Sequence, residues 1–212
     1  PKIGAVIVAR CSSSRLPKKA LMKIDGRESI ALVIDRVKRC SEVDQIILST
    51  TNEPEDDQLV SIAEREGIEY YRGPTENVAL RYLETVEAYN LEHFVRITGD
   101  SILCDAVTID KAIISHLNSS CDVTFIKGVP FGTDKEIVSA NTIRTIVETA
   151  SHPENTEYLE YYLENDRNFS INYFDAGYVF NSKLRITLDY EEDLQFFSIL
   201  FKHFNKFNNN FT

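Results

Sequence analysis

Four cations and three hydroxyls fall within one short segment, Ala9-Arg10-Cys11-Ser12-Ser13-Ser14-Arg15-Leu16-Pro17-Lys18-Lys19, directly after the apolar run at residues 3–8. Hydroxyls and backbone N–H groups donate to phosphate oxygens, arginine binds them bidentately and lysine acts as a point charge. The segment therefore has the chemistry of a phosphate site, with Arg10, Ser12, Ser13, Ser14, Arg15 and Lys19 as donors. The other reading of the same residues is a solvated basic loop. Being rich in serine rather than glycine, the segment matches neither G-x-G-x-x-G nor G-x-x-x-x-G-K-[ST].

Its setting strengthens the phosphate reading. Residues 1–40 hold ten Lys/Arg against three Asp/Glu, a local balance of +7, leaving −17 for the remainder of a chain whose net charge is −10. Such a balance argues against general nucleic-acid or anionic-membrane binding, while a local cationic pocket still attracts a small polyanion such as a nucleoside triphosphate.

Three further polar positions carry potential chemistry. Asp100 follows Thr98 and Gly99; glycine permits close approach of backbone to ligand, and a carboxylate at a strand end is placed to hold Mg²⁺ on phosphates, although Asp after Gly is also a common turn residue. Arg72 either contacts nucleotide or pairs with a surface acid such as Glu76. Asp189 ends one apolar run and begins a helix-like one, so it reads equally as an N-cap, with Glu192 completing a looser capping box.

The elements that must position these residues alternate. Strand patterns at residues 3–9, 45–50, 69–72, 93–98 and 122–126 are separated by helical patterns, in which Ile30, Val33, Ile34 and Val37 share a face, as do Leu59, Ile62 and Ala63. Residues 78–89 and 109–117 read as helices too, and the segment 52–57, with Pro54 among acids, suits a helix start. This is the pattern of a parallel sheet with helices on its faces. Beyond residue 127 we expect a loop at 128–132, a strand at 135–139, a helix capped by Asn141 through residue 148, a helix at 156–164, strands near 169–173 and 183–187, and a last helix from Glu191. Ligands of open α/β sheets bind beyond the carboxyl ends of the strands. The segments 10–19, 72–73 and 98–100 are therefore expected to converge.

Other classes are disfavoured. Cys11, Cys40, Cys104 and Cys121 form no C-x-x-C pair, and the four histidines form no metal-ligand spacing, so free thiols and no zinc site are expected. No apolar stretch approaches the ~20 residues that span a bilayer and no leader pattern precedes Lys2, from which we expect no membrane insertion and a cytoplasmic protein.

The ordered series Ala9-Arg10-x-x-Ser13-x-Arg15-Leu16-Pro17-x-Lys19-x-Leu21, Asp25-Gly26, Gly99-Asp100 and Leu188-Asp189-x-x-x-Asp193-Leu194 resembles the sugar cytidylyltransferases, the superfamily of CMP-KDO synthetase and acylneuraminate cytidylyltransferase. Thr51-Asn-x-Pro-Glu-Asp-Asp57, Arg72-Gly73, Arg81-Tyr82, Val95-Arg-Ile-Thr-Gly-Asp100 and Gly132-x-Asp134-x-Glu136 resemble in particular the branch of the spore coat polysaccharide biosynthesis protein F. The resemblance runs from Ile3 to about Leu194. It departs from that branch at Ser12 and Lys18, where glycine is common, at Asn77 (an acid), at Tyr158 (a histidine) and at Ser101-Ile102-Leu103 (Cys-Pro-Leu).

The resemblance implies an α/β, three-layer nucleotide-diphospho-sugar transferase (Rossmann-like) fold with a mixed, mainly parallel sheet. It implies one nucleotidyltransferase domain over residues 1–204, in which about 127–185 include a dimerisation or acceptor-binding extension; the tail at 205–212, polar and aromatic without clear periodicity, is expected to fray. The implied activity is Mg²⁺-dependent transfer of CMP from CTP to an acidic or activated sugar, with release of pyrophosphate, by a homodimer serving surface polysaccharide synthesis. Arg10, Lys19 and Asp100 would be catalytic; Ala9, Arg10, Ser12, Ser13, Ser14, Arg15, Lys19, Arg72, Thr98 and Gly99 would bind nucleotide; Asp100 and Asp189 would hold the metal. Two alternatives stand beside this. One is a glycosyltransferase using a nucleotide-sugar donor, against which Gly99-Asp100-Ser101 lacks an Asp-x-Asp motif. The other is a nucleotide-binding homologue without turnover.

Overall fold

The structure, a computed structural model, describes residues 1–150, 156, 159–165 and 168–207. In chain order its elements are β1 (Ile3–Val8), a small hairpin of β2 (Lys23–Ile24) and β3 (Arg27–Glu28), α1 (Ser29–Val37), β4 (Gln45–Thr51), α2 (Asp57–Glu66), β5 (Glu69–Gly73), α3 (Val78–Ala88) and β6 (His93–Thr98). Then come α4 (Ala106–Ser119), β7 (Val123–Lys127), β8 (Glu136–Ser139), α5 (Ala140–Thr149), α6 (Leu159–Asn165), β9 (Ile171–Asp175) and α7 (Glu191–Phe207).

Among the described residues the main sheet runs β5-β4-β1-β6-β8-β7-β9. β1 pairs in parallel with both β4 and β6, and β4 with β5. β8 lies antiparallel between β6 and β7, and β9 returns parallel to β7. The sheet is thus mixed and mainly parallel, as expected. Chain order reverses direction on either side of β1, which opens a crevice at the carboxyl ends of β1 and β6.

Period-two alternation divides the core into two layers. Ala5, Ile7, Val95 and Ile97 face one side with Ile34 of α1, Ile113 of α4 and Phe197 of α7. Val6, Phe94 and Val138 face the other with Tyr82 and Val86 of α3, Ile143 of α5 and Leu163 of α6. Covered on both faces, β1 is apolar throughout, Ile-Gly-Ala-Val-Ile-Val. Phe94 is fully buried and stacks on Tyr82 with ring centroids 5.4 Å apart, a side chain whose burial contributes roughly 1.5–3 kcal/mol.

Several boundaries differ from the sequence reading. Ser139, not Asn141, caps α5: its side chain accepts from the Thr142 amide at 3.1 Å. The strand expected at 183–187 is a single bridge between Phe131 and Arg185. Its neighbouring amides go to loops instead, Ile186 to the Phe131 carbonyl and Leu188 to that of Asp100. Of the tail expected at 205–212, residues 205–207 continue the last helix and the rest lies outside the described residues. Asp25-Gly26 is a two-residue hairpin turn with φ of 49° and 84°, the geometry that Asp-Gly favours because both central residues need positive φ. Tyr158, one of the departures from the family pattern, lies outside the described residues.

Candidate active site

After β1 the chain closes a loop on Cys11. Its carbonyl accepts from the amides of Ser13 and Lys18, both at 2.9 Å, while its own amide donates to Asp56 Oδ1 at 2.7 Å. Buried Cys11 and Leu16 anchor the loop, leaving Ser12, Ser14 and Arg15 exposed on its rim. Burial and the neighbouring Asp56 push the Cys11 thiol up to about 12, so it is no nucleophile. Lys18 closes the loop in the left-handed region (φ 56°, ψ 25°), from which a turn of 3₁₀ helix, Lys19–Leu21, aims Lys19 inward.

Gly99, at the end of β6, donates its amide to the Val8 carbonyl at 2.9 Å, and a Cβ there would lie 2.9 Å from that of Ala9. The glycine thus lets the ends of β1 and β6 approach each other, a close approach of backbone to side chain rather than to ligand alone. Between these ends and the loop opens a cavity of about 410 Å³. Ala9, Arg10, Ser13, Ser14, Arg15, Lys19, Thr98, Gly99 and Asp100 all line it.

Its charges are interlocked. Lys19 Nζ lies 2.6 Å from Asp100 Oδ2 and 2.9 Å from Asp189 Oδ1. Arg15 approaches Asp189 at 3.0 Å, and its guanidinium stands 5.9 Å from the centre of the Tyr190 ring. Thr98 Oγ1 donates to Asp100 Oδ1 at 2.6 Å. Burial opposes ionisation of Asp100, but the Lys19 ammonium and the Thr98 hydroxyl outweigh it and hold the carboxyl below its ordinary value.

The geometry places two residues that the sequence left open. The Asp189 carboxylate turns away from α7 toward the cations. Asp193, not Glu192, reaches back to the helix start, its Oδ2 accepting from the amides of Asp189 and Tyr190 at 2.8 and 2.9 Å. Arg72 lies outside the cavity lining. Its guanidinium holds the segment after β4, donating to the carbonyls of Thr51 and Glu53 and to Asp57 Oδ1 at 2.9, 2.8 and 2.6 Å, so the segments 10–19 and 98–100 converge and 72–73 does not join them. Ser12 is exposed and likewise outside the lining.

Six lining residues had no assigned role, Val8 and Ala20 among them. Val78, Arg81, Tyr82 and Arg96, from α3 and β6, line the cavity as well. Arg96 and Glu136 are register partners on β6 and β8 and form a buried bidentate pair, with contacts of 2.8 and 3.2 Å; Arg96 also meets Glu160. An arginine inside the apolar run Phe-Val-Arg-Ile was the signal, since a buried charge requires a partner. Arg185, 3.2 Å from Asp189 and 2.5 Å from Asp193, was also missed.

Among the described residues no three His, Cys, Asp or Glu side chains gather as a metal cage. The oxygen donors Asp100 and Asp189, brought to one point, nevertheless fit Mg²⁺, which takes one or two carboxylates and completes its shell with phosphate and water.

A family model described as cytidylyltransferase matches residues 5–206. The chain belongs to the cytidylyltransferase family. The spore coat polysaccharide biosynthesis protein SpsF of Bacillus subtilis is 26% identical over 204 residues, 93% of this chain and 85% of that protein. A cytidylyltransferase structure from Leptospira borgpetersenii is 25% identical, with a TM-score of 0.89 over 95% of this chain and 87% of that one. CMP:2-keto-3-deoxy-manno-octonic acid synthetase, complexed with CTP, shares the cytidylyltransferase fold at 17% identity and a TM-score of 0.75, over 96% of this chain and 99% of that one. The nucleotidyltransferase class expected from the sequence therefore stands, and so does its three-layer fold. No helix among the described residues is long and apolar enough to cross a membrane.

Proposed function

We propose that this cytidylyltransferase moves CMP from CTP to an acidic or activated sugar used in a surface polysaccharide. An acceptor oxygen attacks the α-phosphorus, the bond to the bridging oxygen of the β-phosphate breaks, and pyrophosphate leaves with the electron pair. The observation that carries this reading is the convergence of Arg10, Arg15, Lys19 and Asp100 on one cavity at the ends of β1 and β6. Phosphoryl chemistry asks the protein chiefly for positioning and charge neutralisation. Arg15 and Lys19 take the leaving pyrophosphate, Arg10 sits nearer the reacting phosphate, and Ser13 and Ser14 donate to phosphate oxygens.

Asp100 and Asp189 hold magnesium, which when bound neutralises the phosphates and acidifies the attacking hydroxyl. The relatives support both substrate classes: one is named for polysaccharide biosynthesis and another is complexed with CTP.

The test is pyrophosphate release from CTP and Mg²⁺ over a panel of acidic and neutral sugars, preceded by thermal shift with CTP, UTP, GTP and ATP. CTP is expected to stabilise most and to release pyrophosphate only with an acceptor present. Stabilisation by none of the four nucleotides would sink the proposal, and CTP binding without turnover on any acceptor would favour a binding homologue.

A further inference from the structure

The point where Asp100 and Asp189 meet is filled by a cation of the chain itself. Lys19 Nζ stands within 2.9 Å of both carboxylates, and its side chain is 16% exposed. Asp189 is further engaged by Arg15 on Oδ1 and by Arg185 on Oδ2, and Arg185 holds Asp193 with its other arm. Among the ion-paired side chains Lys19, Arg15 and Arg185 thus face Asp100, Asp189 and Asp193, three charges against three, and Arg10 and Lys135 add positive charge nearby. We infer that Lys19 is a built-in occupant of the magnesium position, so that metal and triphosphate enter together and the triphosphate draws Lys19 away.

Charge decides this. A bare divalent ion would bring two extra charges into a balanced cluster and would have to displace an ammonium held by two charge-assisted hydrogen bonds in a part-buried setting. A magnesium–triphosphate complex is net negative. It gives Lys19 and Arg15 phosphate oxygens in exchange for the carboxylates they release, so every cation keeps an anionic partner. The exchange suits lysine, a point charge on a flexible stem. Arg185, tied to Asp193, stays to orient Asp189.

The inference rests on the proposed CTP-dependent reaction, and Mn²⁺ binding separates the two. Mn²⁺ is titrated by paramagnetic resonance into wild type, wild type with an α,β-methylene analogue of CTP, and Lys19→Met and Lys19→Gln without nucleotide; two variants guard against one failing to fold. Wild type is expected to bind Mn²⁺ weakly until the analogue is added. The Lys19 variants are expected to bind it without nucleotide at least about tenfold more tightly than wild type, within the usual range of coupling between sites. Adding Asp100→Asn to Lys19→Met is expected to remove that gain. If the analogue promotes Mn²⁺ binding to wild type but neither variant gains, the inference is overturned while the proposed reaction stands. If no form binds Mn²⁺ in either condition, the metal role of Asp100 and Asp189 falls as well.

Discussion

Asp56 and Cys11 join the loop after β1 to the end of the neighbouring strand β4: the buried carboxylate of Asp56 accepts the Cys11 amide at 2.7 Å and, through Oδ2, the Thr50 hydroxyl at 3.0 Å and the Thr51 amide at 3.2 Å, with the Thr51 hydroxyl as a further donor. One side chain therefore fixes both the end of β4 and the start of the loop. Burial opposes its ionisation, but these donors prevail and hold its pKa below the ordinary aspartate value. The stability it supplies is thus present above the unfolded pKa and lost as pH falls through the lower folded value. Replacing Asp56 with Ala leaves several buried donors unmet, and we expect a cost of about 3 kcal/mol in urea unfolding together with weaker CTP binding. A variant as stable as the parent would show that the loop is held elsewhere.

Asp100 carries a different expectation. It sits at the mouth of the crevice rather than inside the core, with 19% of its side chain exposed. The fold tolerates Asp100→Asn, because Asp189 still faces Lys19. Turnover is expected to fall by roughly 10³-fold, the scale of losing a dedicated transition-state charge contact. Parent-like pyrophosphate release from Asp100→Asn would remove this carboxylate from the chemistry.

That the loop after β1 and the end of β6 share one cavity was legible because each joins an apolar period-two run to polar residues at a strand's carboxyl end. Side-chain direction was not. From its local spacing Asp189 read equally as a helix cap, because that spacing cannot show that Lys19, 170 residues earlier, lies 2.9 Å away. Arg72 read either as a nucleotide contact or as the partner of a surface acid, and parallel pairing of β5 with β4 turns it onto the segment after Thr51, where it pairs with Asp57 rather than Glu76. The expected strand at 183–187 failed for a related reason. Ile186 packs on the core and its amide reaches Phe131, which only the tertiary fold brings near, while Leu184 is exposed and the amides of Lys183 and Leu184 close a local turn on Asn181.

Lys18 is a local conflict that the chain tolerates. It adopts φ 56° without glycine's freedom, at a position where the resembling branch commonly has glycine. A side chain in this region costs roughly 1–2 kcal/mol, partly offset in Gly by the larger entropy of its unfolded chain. Lys18→Gly is therefore expected to raise stability by about 0.5–1 kcal/mol in urea unfolding. A loss of stability would mean that the Lys18 side chain makes a compensating contact.

Stability should also respond to acid through the buried His116 and the half-buried His93 beside it. His116 Nε2 lies 3.0 Å from His93 Nδ1, and its Nδ1 lies 2.9 Å from the Thr124 hydroxyl and 3.3 Å from Cys121 Sγ. Burial, then the neighbouring His93, lowers the pKa of His116 from 6.5 to about 4, and burial lowers that of His93 too. Because the folded state binds the proton less well than the unfolded one, stability is complete above pH 6.5, falls as pH drops, and levels off below about 4 for His116. The slope for one proton is at most about 1.4 kcal/mol per pH unit. Urea unfolding of wild type and His116→Gln between pH 7.5 and 5, above the range of most carboxylates, isolates this contribution. The variant is expected to lose stability at pH 7.5 but to show a flatter pH dependence; equal slopes in the two proteins would place the titrating group elsewhere.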